Sequence, residues 1–466
     1  MLRLLRRRGI QTLAILAGLL AQPSRLAAAD LPSRQIPDDA SFRTTLRDGW
    51  FTEVPAKVLA KRPFIHTLPG GSRIEVRSED GGAEFMVILA RELNGSFPGW
   101  AQGSWILTRN KDDGAAARIR IFLRSDPYTY VQFRPLSANR SQMDVVLYDA
   151  FAVRAQPLPL AFDRLLTVPV EEALRAAGNA FPRRYFDPAV DQYRDIRSLI
   201  VQIRQMLPGL SFRDDGAIDE KGRYVFINTL QAQEGKGGLN CSGFAKWVVD
   251  GILWPLTESY LPIGPLKAPY GSRGSSLTEP YERIRDPFFG LDWTRNLAAQ
   301  ANTILRSAAY NTVEELEVRR FPFGSVITRS GGSPAVKPYP GFLLNAGFGV
   351  EGLHALLYTL ALDEPGRIYL ASVNNDRGPA PRFREHFHVA VLIPYFNEFG
   401  NFQIAVFESA AETSFTQFRN RYPGHYVNLV RIPVEGMFKP KADAAASKPE
   451  SKPPARQTLF FYGIKR

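Results

Sequence analysis

Short runs of β-branched and aromatic residues, each bounded by a turn-forming piece, fill the chain between residues 73 and 151 and constrain its fold more than any other feature. The runs are 73–76, 84–89, 103–108, 117–123, 129–133 and 143–151. Pro69-Gly70-Gly71, Asp80-Gly81-Gly82 and Lys111-Asp112-Asp113-Gly114 punctuate them. Gly supplies positive φ without steric cost, and Asp bonds its own backbone in turns, so such pieces end strands. The pattern predicts a β-rich unit, a small sandwich or barrel, over residues 40–155. His66 stands alone inside it, and a solitary histidine is expected to be structural.

Downstream the periodicity changes. Residues 169–177 and 195–207 carry apolar side chains at helical spacing, and Pro208-Gly209 stops the second stretch, so residues 156–235 read as a helical lead-in packed onto the C-terminal part of the chain. Residues 236–466 are then expected as one domain. It holds an insertion over about 257–320, with a helix near 293–307, and strands at 323–328, 353–362, 367–373, 388–395, 402–408 and 426–434. Residues 439–457, rich in Lys, Pro, Ala and Ser, read as a solvated linker before a last strand at 458–464. Helices succeeded by sequential strands suggest an α+β class rather than alternating βαβ units.

Arg3, Arg6, Arg7 and Arg8 precede an apolar run from Ile10 to Ala21 and the small residues Ala27-Ala28-Ala29. Residues 1–29 therefore read as a secretory signal peptide cleaved before Asp30, which implies an exported, periplasmic or envelope-associated protein. The apolar run falls short of the ~18 to 20 residues of a membrane span, and no later stretch reaches that length. The formal charge of +12 drops to +7 once the five signal arginines are removed. A basic surface suits anionic cell-wall polymers. Scattered charges without a nucleic-acid motif argue against a nucleic-acid partner.

The chain has one cysteine, Cys241, in Asn240-Cys241-Ser242-Gly243-Phe244. Phe244, Trp247, Val248, Gly251 and Ile252 recur at the spacing of one helix face, which places Cys241 in the first turn. There the helix dipole and free N–H groups favour the thiolate, the nucleophilic form. An exported chain with one cysteine cannot form an internal disulfide, so the thiol is available for chemistry. The alternative is a packed thiol acting as a small hydrophobe.

A thiol nucleophile needs a base, and the histidines are His66, His354, His386, His388 and His425. His388 begins the alternating strand 388–393. The chain turns in Asn397-Glu398-Phe399-Gly400-Asn401 and returns as 402–408. A turn centred near residue 398 sets Glu408 directly across from His388 on the same sheet face, where it can orient the imidazole. A one-residue slip would substitute Ser409 and reverse the face. His386, two residues earlier with the same parity, is the second choice of base. His386-Phe387-His388 alone is no ligand set, and neither a metal nor another cofactor is expected.

Cys241-Ser242-Gly243-Phe244 at a helix start, the strand opening His388-Val389 and a polar residue on the next strand resemble the NlpC-type cell-wall cysteine peptidases. That resemblance implies a papain-like C-terminal domain, a helix bearing the cysteine packed on an antiparallel sheet. It assigns Cys241 as nucleophile, His388 as base and Glu408 as orienting group, with amide bonds of peptidoglycan stem peptides as substrate and a β-rich accessory domain that binds the wall. The chain departs from the family pattern in having Asn240 for Asp, a longer gap to the histidine and glutamate where histidine is usual. Two rival functions are a non-catalytic wall-binding protein on the same fold and a papain-like enzyme acting on lipid acyl groups.

Overall fold

Side chains alternating between two faces turn the N-terminal runs into a sheet. The computed structural model describes residues 29–271, 286–307, 309, 312–328, 334–377 and 383–440. Outside these lie the expected signal peptide up to residue 28, residues 272–285 of the expected insertion, 441–457 of the expected linker and the expected strand 458–464. Strands β1 (Phe64–Thr67), β2 (Arg73–Gly81), β3 (Glu84–Arg91), β4 (Trp105–Asn110), β5 (Ala116–Ile121), β6 (Thr129–Ser137), β7 (Arg140–Leu147) and β8 (Ala150–Leu158) pair in chain order as an antiparallel meander. Val76, Val87, Ile119, Phe133 and Val145 are fully buried on its inner face.

The run 143–151, expected as one strand, is two. Tyr148 and Asp149 adopt φ of 48° and 67°, and Leu147 pairs with Ala150 across a two-residue turn. A two-residue hairpin with positive φ at both central positions usually advertises itself with Asn-Gly or Asp-Gly. Tyr-Asp hides the signal. The sheet also continues past residue 155. After a small hairpin of β9 (Gly216–Ile218) and β10 (Tyr224–Phe226), the chain returns β11 (Ser325–Thr328) to pair with β8 and adds β12 (Ala335–Pro338) outside it.

The second sheet has six antiparallel strands: β13 (Phe348–Gly349), β14 (Arg367–Arg377), β15 (Phe383–Phe396), β16 (Phe402–Glu408), β17 (Ala411–Ser414) and β18 (Tyr426–Pro433). Their spatial order is β13-β18-β14-β15-β16-β17. One face buries Val389, Val391, Ile393, Phe407 and Ile432 against the helices Arg194–Met206, Cys241–Thr257 and Phe289–Arg306. The opposite face, with Ala371, Ala390, Leu392 and Val406, joins the core of the meander. The fold is α+β, with large antiparallel sheets.

Residues 353–362, expected as a strand, form the helix Leu353–Asp363 instead. The segment lies between the two sheets and is buried on nearly every side: Leu353, Leu356, Leu357, Tyr358 and Ala361 all belong to the shared core. A helix buried all round loses the 3.6-residue pattern that marks it, while Leu and Ala favour helix over strand. The region 156–235 is divided between the cores. Leu165, Leu174 and Tyr185 pack with the meander, whereas Ile196, Leu199 and Ile203 pack with the cysteine helix. Among the described residues no helix is long and apolar enough to cross a membrane, and no group of His, Cys, Asp and Glu is arranged to hold a metal ion.

Candidate active site

The cysteine helix is seated by its first turn. Asn240 caps it, its side-chain oxygen accepting from Gly243 N at 2.8 Å, which is what an Asn in this position does well. Its own N–H bonds the carbonyl of Gly216 on β9 at 3.0 Å. Gly243 meets the same strand so closely that a Cβ there would sit 2.0 Å from the Gly216 oxygen. Only glycine permits that approach. Trp293 on the Phe289–Arg306 helix donates its indole N–H to Ser242 O at 2.9 Å. Cys241, the first helical residue, remains partly exposed.

Facing it is His388 on β15. The His388 Nε2 lies 2.7 Å from Glu408 Oε2, and the imidazole and the Cys241 thiol act on each other's charge; with Nε2 engaged by Glu408, Nδ1 is the nitrogen left to serve the sulfur. Glu408 is buried, and its second oxygen accepts from Arg421. Burial disfavours the charged imidazolium, but the hydrogen bonds and charges of Cys241 and Glu408 outweigh it and raise His388 to about 9. Burial likewise pushes the Cys241 thiol up. The His388 hydrogen bond and charge, the Val389 N–H and the Ser242 hydroxyl together bring it below its ordinary value. Both shifts favour a thiolate–imidazolium pair. Glu408 is held below the usual carboxylate range: His388 and Arg421 overcome its burial.

The hairpin register differs from the expected one. Val391 pairs with Phe407 and Phe396 with Phe402, which centres the turn on residue 399, one position later than expected. Asn397 sets this turn, accepting with its side chain from Phe399 N and Asn401 N at 3.0 and 2.8 Å. Glu408 therefore continues level with Ala390 and reaches His388 diagonally rather than directly across. The displacement is an even number of residues, so both side chains stay on one face, and diagonal neighbours lie within reach of long side chains.

His386 is no substitute base. Between His388, opposite Val373, and His386, opposite Asn374, the strand carries Phe387 as an extra residue. The bulge breaks the alternation on which the shared parity rested. His386 is 4% exposed, with Nδ1 2.8 Å from Ser372 Oγ and Nε2 3.0 Å from Asn345 O. Burial, aided by Arg295 and Arg384, drives it down to about 3. Of the remaining histidines, His66 stacks on Phe42, His354 is driven to about 3 chiefly by burial, and His425 bonds Pro423 O.

Two neighbours escaped sequence reasoning. Arg421 and Tyr422 end the helix Phe415–Arg421 and succeed it, and the Tyr422 ring centre lies 5.8 Å from that of His388. Burial and the Glu408 charge raise the phenol to about 12, so it stays neutral. The capping box of Ser414 and Gln417 marks that helix, but nothing local reveals that its far end returns to Glu408. Two cavities of about 500 and 1100 Å³ open elsewhere, around Tyr270 and around Arg319, and neither is lined by Cys241, His388 or Glu408. Arrangement rather than cavity size marks this site.

A family model described as "Domain of unknown function (DUF8515)" matches residues 32–185. The match takes in the meander from β1 to β8 and the segment packed on it, and ends before Cys241, His388 and Glu408. No curated protein and no solved structure matches the chain.

Proposed function

We propose that this chain is an exported cysteine hydrolase with a papain-like catalytic arrangement that cleaves amide bonds in peptidoglycan stem peptides. The observation that carries the reading is the arrangement of Cys241, His388 and Glu408, with the sulfur at a helix N-terminus, the imidazole bonded to Glu408 and its charge acting on the thiol. The Cys241 thiolate attacks the amide carbonyl carbon. A carbon–sulfur bond forms, and the carbonyl electrons move to oxygen. The Cys241 N–H, which as a first-turn group has no intrahelical partner, faces that oxyanion; one such donor is worth roughly 3 to 4 kcal/mol. On collapse the carbon–nitrogen bond breaks and imidazolium Nδ1–H protonates the departing amine. Water then gives a proton to His388 as it attacks the thioester, and the acid leaves with the ion pair restored. Glu408, kept anionic by Arg421, holds the imidazole in the required orientation throughout.

Stem peptides as the substrate rest on the resemblance at Cys241 and His388 and on the basic charge balance. Export rests on the sequence of residues 1–29, and Asp30, the residue expected after the cleavage site, is held within the fold. The Asp30 carboxylate accepts from Ser125 N and lies 3.3 Å from Arg124. Leu31 exchanges two hydrogen bonds with Gln102. The test is release of peptides from purified peptidoglycan, monitored by the appearance of new amino groups. The parent protein is expected to release them and Cys241→Ala to leave the polymer intact; equal release by both would refute the proposal.

A further inference from the structure

A third cavity, of about 380 Å³, opens at the seam between the two sheets. It lies within the roughly 300–1,000 Å³ of small-ligand sites. Four connections meet there: the β3–β4 loop with Asn94 and Trp100, the β5–β6 loop with Asp126, the β7–β8 turn with Tyr148, and the start of β16 after its turn with Phe402 and Gln403.

Trp100, Tyr148, Tyr358 and Phe402 give its wall an aromatic part, and Tyr148 is held under strain. Tyr148, a bulky residue at φ 48°, occupies a conformation that costs of order 1–3 kcal/mol and persists only where surroundings enforce it. Its ring centre lies 3.9 Å from that of His354, 5.2 Å from Tyr358 and 5.6 Å from Phe402. Its hydroxyl donates to Asp126 Oδ2 at 2.8 Å, while Tyr128 N donates to Oδ1 at 2.7 Å. At the rim, Trp100 is 37% exposed.

Among the described residues the cavity offers no unpaired cation. Arg124, the basic residue lining it, donates to the carbonyls of Phe186 and Gly400 and pairs with Asp30. Burial raises the Asp126 carboxyl, which further disfavours a charged interior. The side chains of Asn94 and Gln403 are exposed and carry no hydrogen bond within the described chain. Amides both donate and accept, as hydroxyl and acetamido groups do. Aromatic faces suit the apolar C–H face of a sugar ring. A phosphate or carboxylate ligand would find no free cation among these residues to receive it.

We propose that this cavity binds an N-acetylated pyranose unit of the glycan strand that carries the stem peptides. The class of glycan rests on the proposed hydrolase reading; the neutral sugar chemistry rests on the cavity. The spacing agrees with one substrate engaging both places. The seven residues of β16, Phe402–Glu408, separate the cavity from the catalytic carboxylate by about 20 Å at the usual strand rise. An extended peptide of five or six residues covers about the same span.

The test uses the full chain carrying Cys241→Ala, with tetrameric N-acetylglucosamine as probe, calorimetry as the readout for every variant, the change in tryptophan fluorescence lost with Trp100→Ala as a second one, and the glucose tetramer as comparison. Saturable binding of the acetylated tetramer is expected, weakened at least tenfold by Trp100→Ala and by Gln403→Ala and unchanged by His388→Gln. No binding, binding indifferent to Trp100→Ala and Gln403→Ala, or equal binding of the glucose tetramer would overturn the proposal. Without the nucleophile, binding is read apart from cleavage. Absent binding beside intact peptide release by the parent protein sinks this site alone, and binding without release sinks the hydrolase reading alone.

Discussion

Two buried polar clusters flank the same bulged stretch of β15, each built around a histidine, and they have opposite character. In the first, His386 is closed in by Ser372 and Asn345. Asn345 is in turn bonded to Arg295, whose Nε donates to Glu317 at 2.9 Å, and Asn428 and Arg319 donate to the same carboxylate. In the second, His388 lies between a thiol at a helix N-terminus and a carboxylate tied to Arg421. Both imidazoles suffer burial, which lowers a histidine. Arg295 and Arg384 add to that effect at His386, which falls to about 3; Cys241 and Glu408 reverse it at His388, which rises to about 9. Burial alone therefore does not decide whether a histidine can exchange protons near neutrality. The sign of the charge that faces it does.

The contrast can be broken most forcefully at His388. His388→Gln removes the base and is expected to lower peptide release on the order of 10⁶-fold, with the midpoint of chemical unfolding nearly unmoved. On the other side, Arg295→Met leaves Glu317 buried without its main partner, since both side chains are 0% exposed. Breaking such a pair costs about 3–5 kcal/mol, to be read from denaturant unfolding, while activity per folded molecule stays near that of the parent.

Glu408→Gln sharpens the electrostatic half. With the parent, activity depends on the imidazolium and is lost as pH rises through about 9. Removing the carboxylate charge withdraws part of what raises His388, so the basic limb of the pH–rate profile is expected to move to lower pH, with a rate loss of about 10²-fold. A basic limb that stays in place would show that Glu408 does not raise the imidazole. The smallest effect is expected from His386→Gln, a stability loss of about 1–3 kcal/mol from buried groups left poorly paired, with kcat/KM within about threefold of the parent. The two histidines thus exchange phenotypes, one catalytic and one structural, and unfolding curves beside kinetics separate them.

Much of this organisation is legible from local chemistry. Turn-forming pieces bound the strands of the meander, Pro208-Gly209 closes the helix Arg194–Met206, and Asn240 before an apolar helical face marks the start of the cysteine helix. The His388–Glu408 contact is readable for a particular reason: side chains alternate with a period of two, so misplacing the turn centre by one residue shifts the register by two and preserves the face. The same reasoning fails at His386, because a bulge at Phe387 inserts one residue and leaves no local mark. The helix Leu353–Asp363 is hidden because both sheets bury it, which erases its periodicity. The hairpin at Tyr148-Asp149 is hidden because tertiary packing enforces backbone angles that the residues themselves disfavour. Arg421 reaches Glu408 only through tertiary structure.

The most direct test is the titration of the Cys241 thiol, monitored by thiolate absorbance and by the rate of alkylation. Cys241 is the only cysteine in the chain, so no second thiol contributes to either signal, and the alkylation rate separates the thiolate from tyrosine ionisation. The thiolate is expected to form below the ordinary thiol value, and in His388→Gln the titration is expected to move up to or beyond that value. A thiol that titrates at its ordinary value in both proteins would contradict the ion pair and the hydrolytic function built on it.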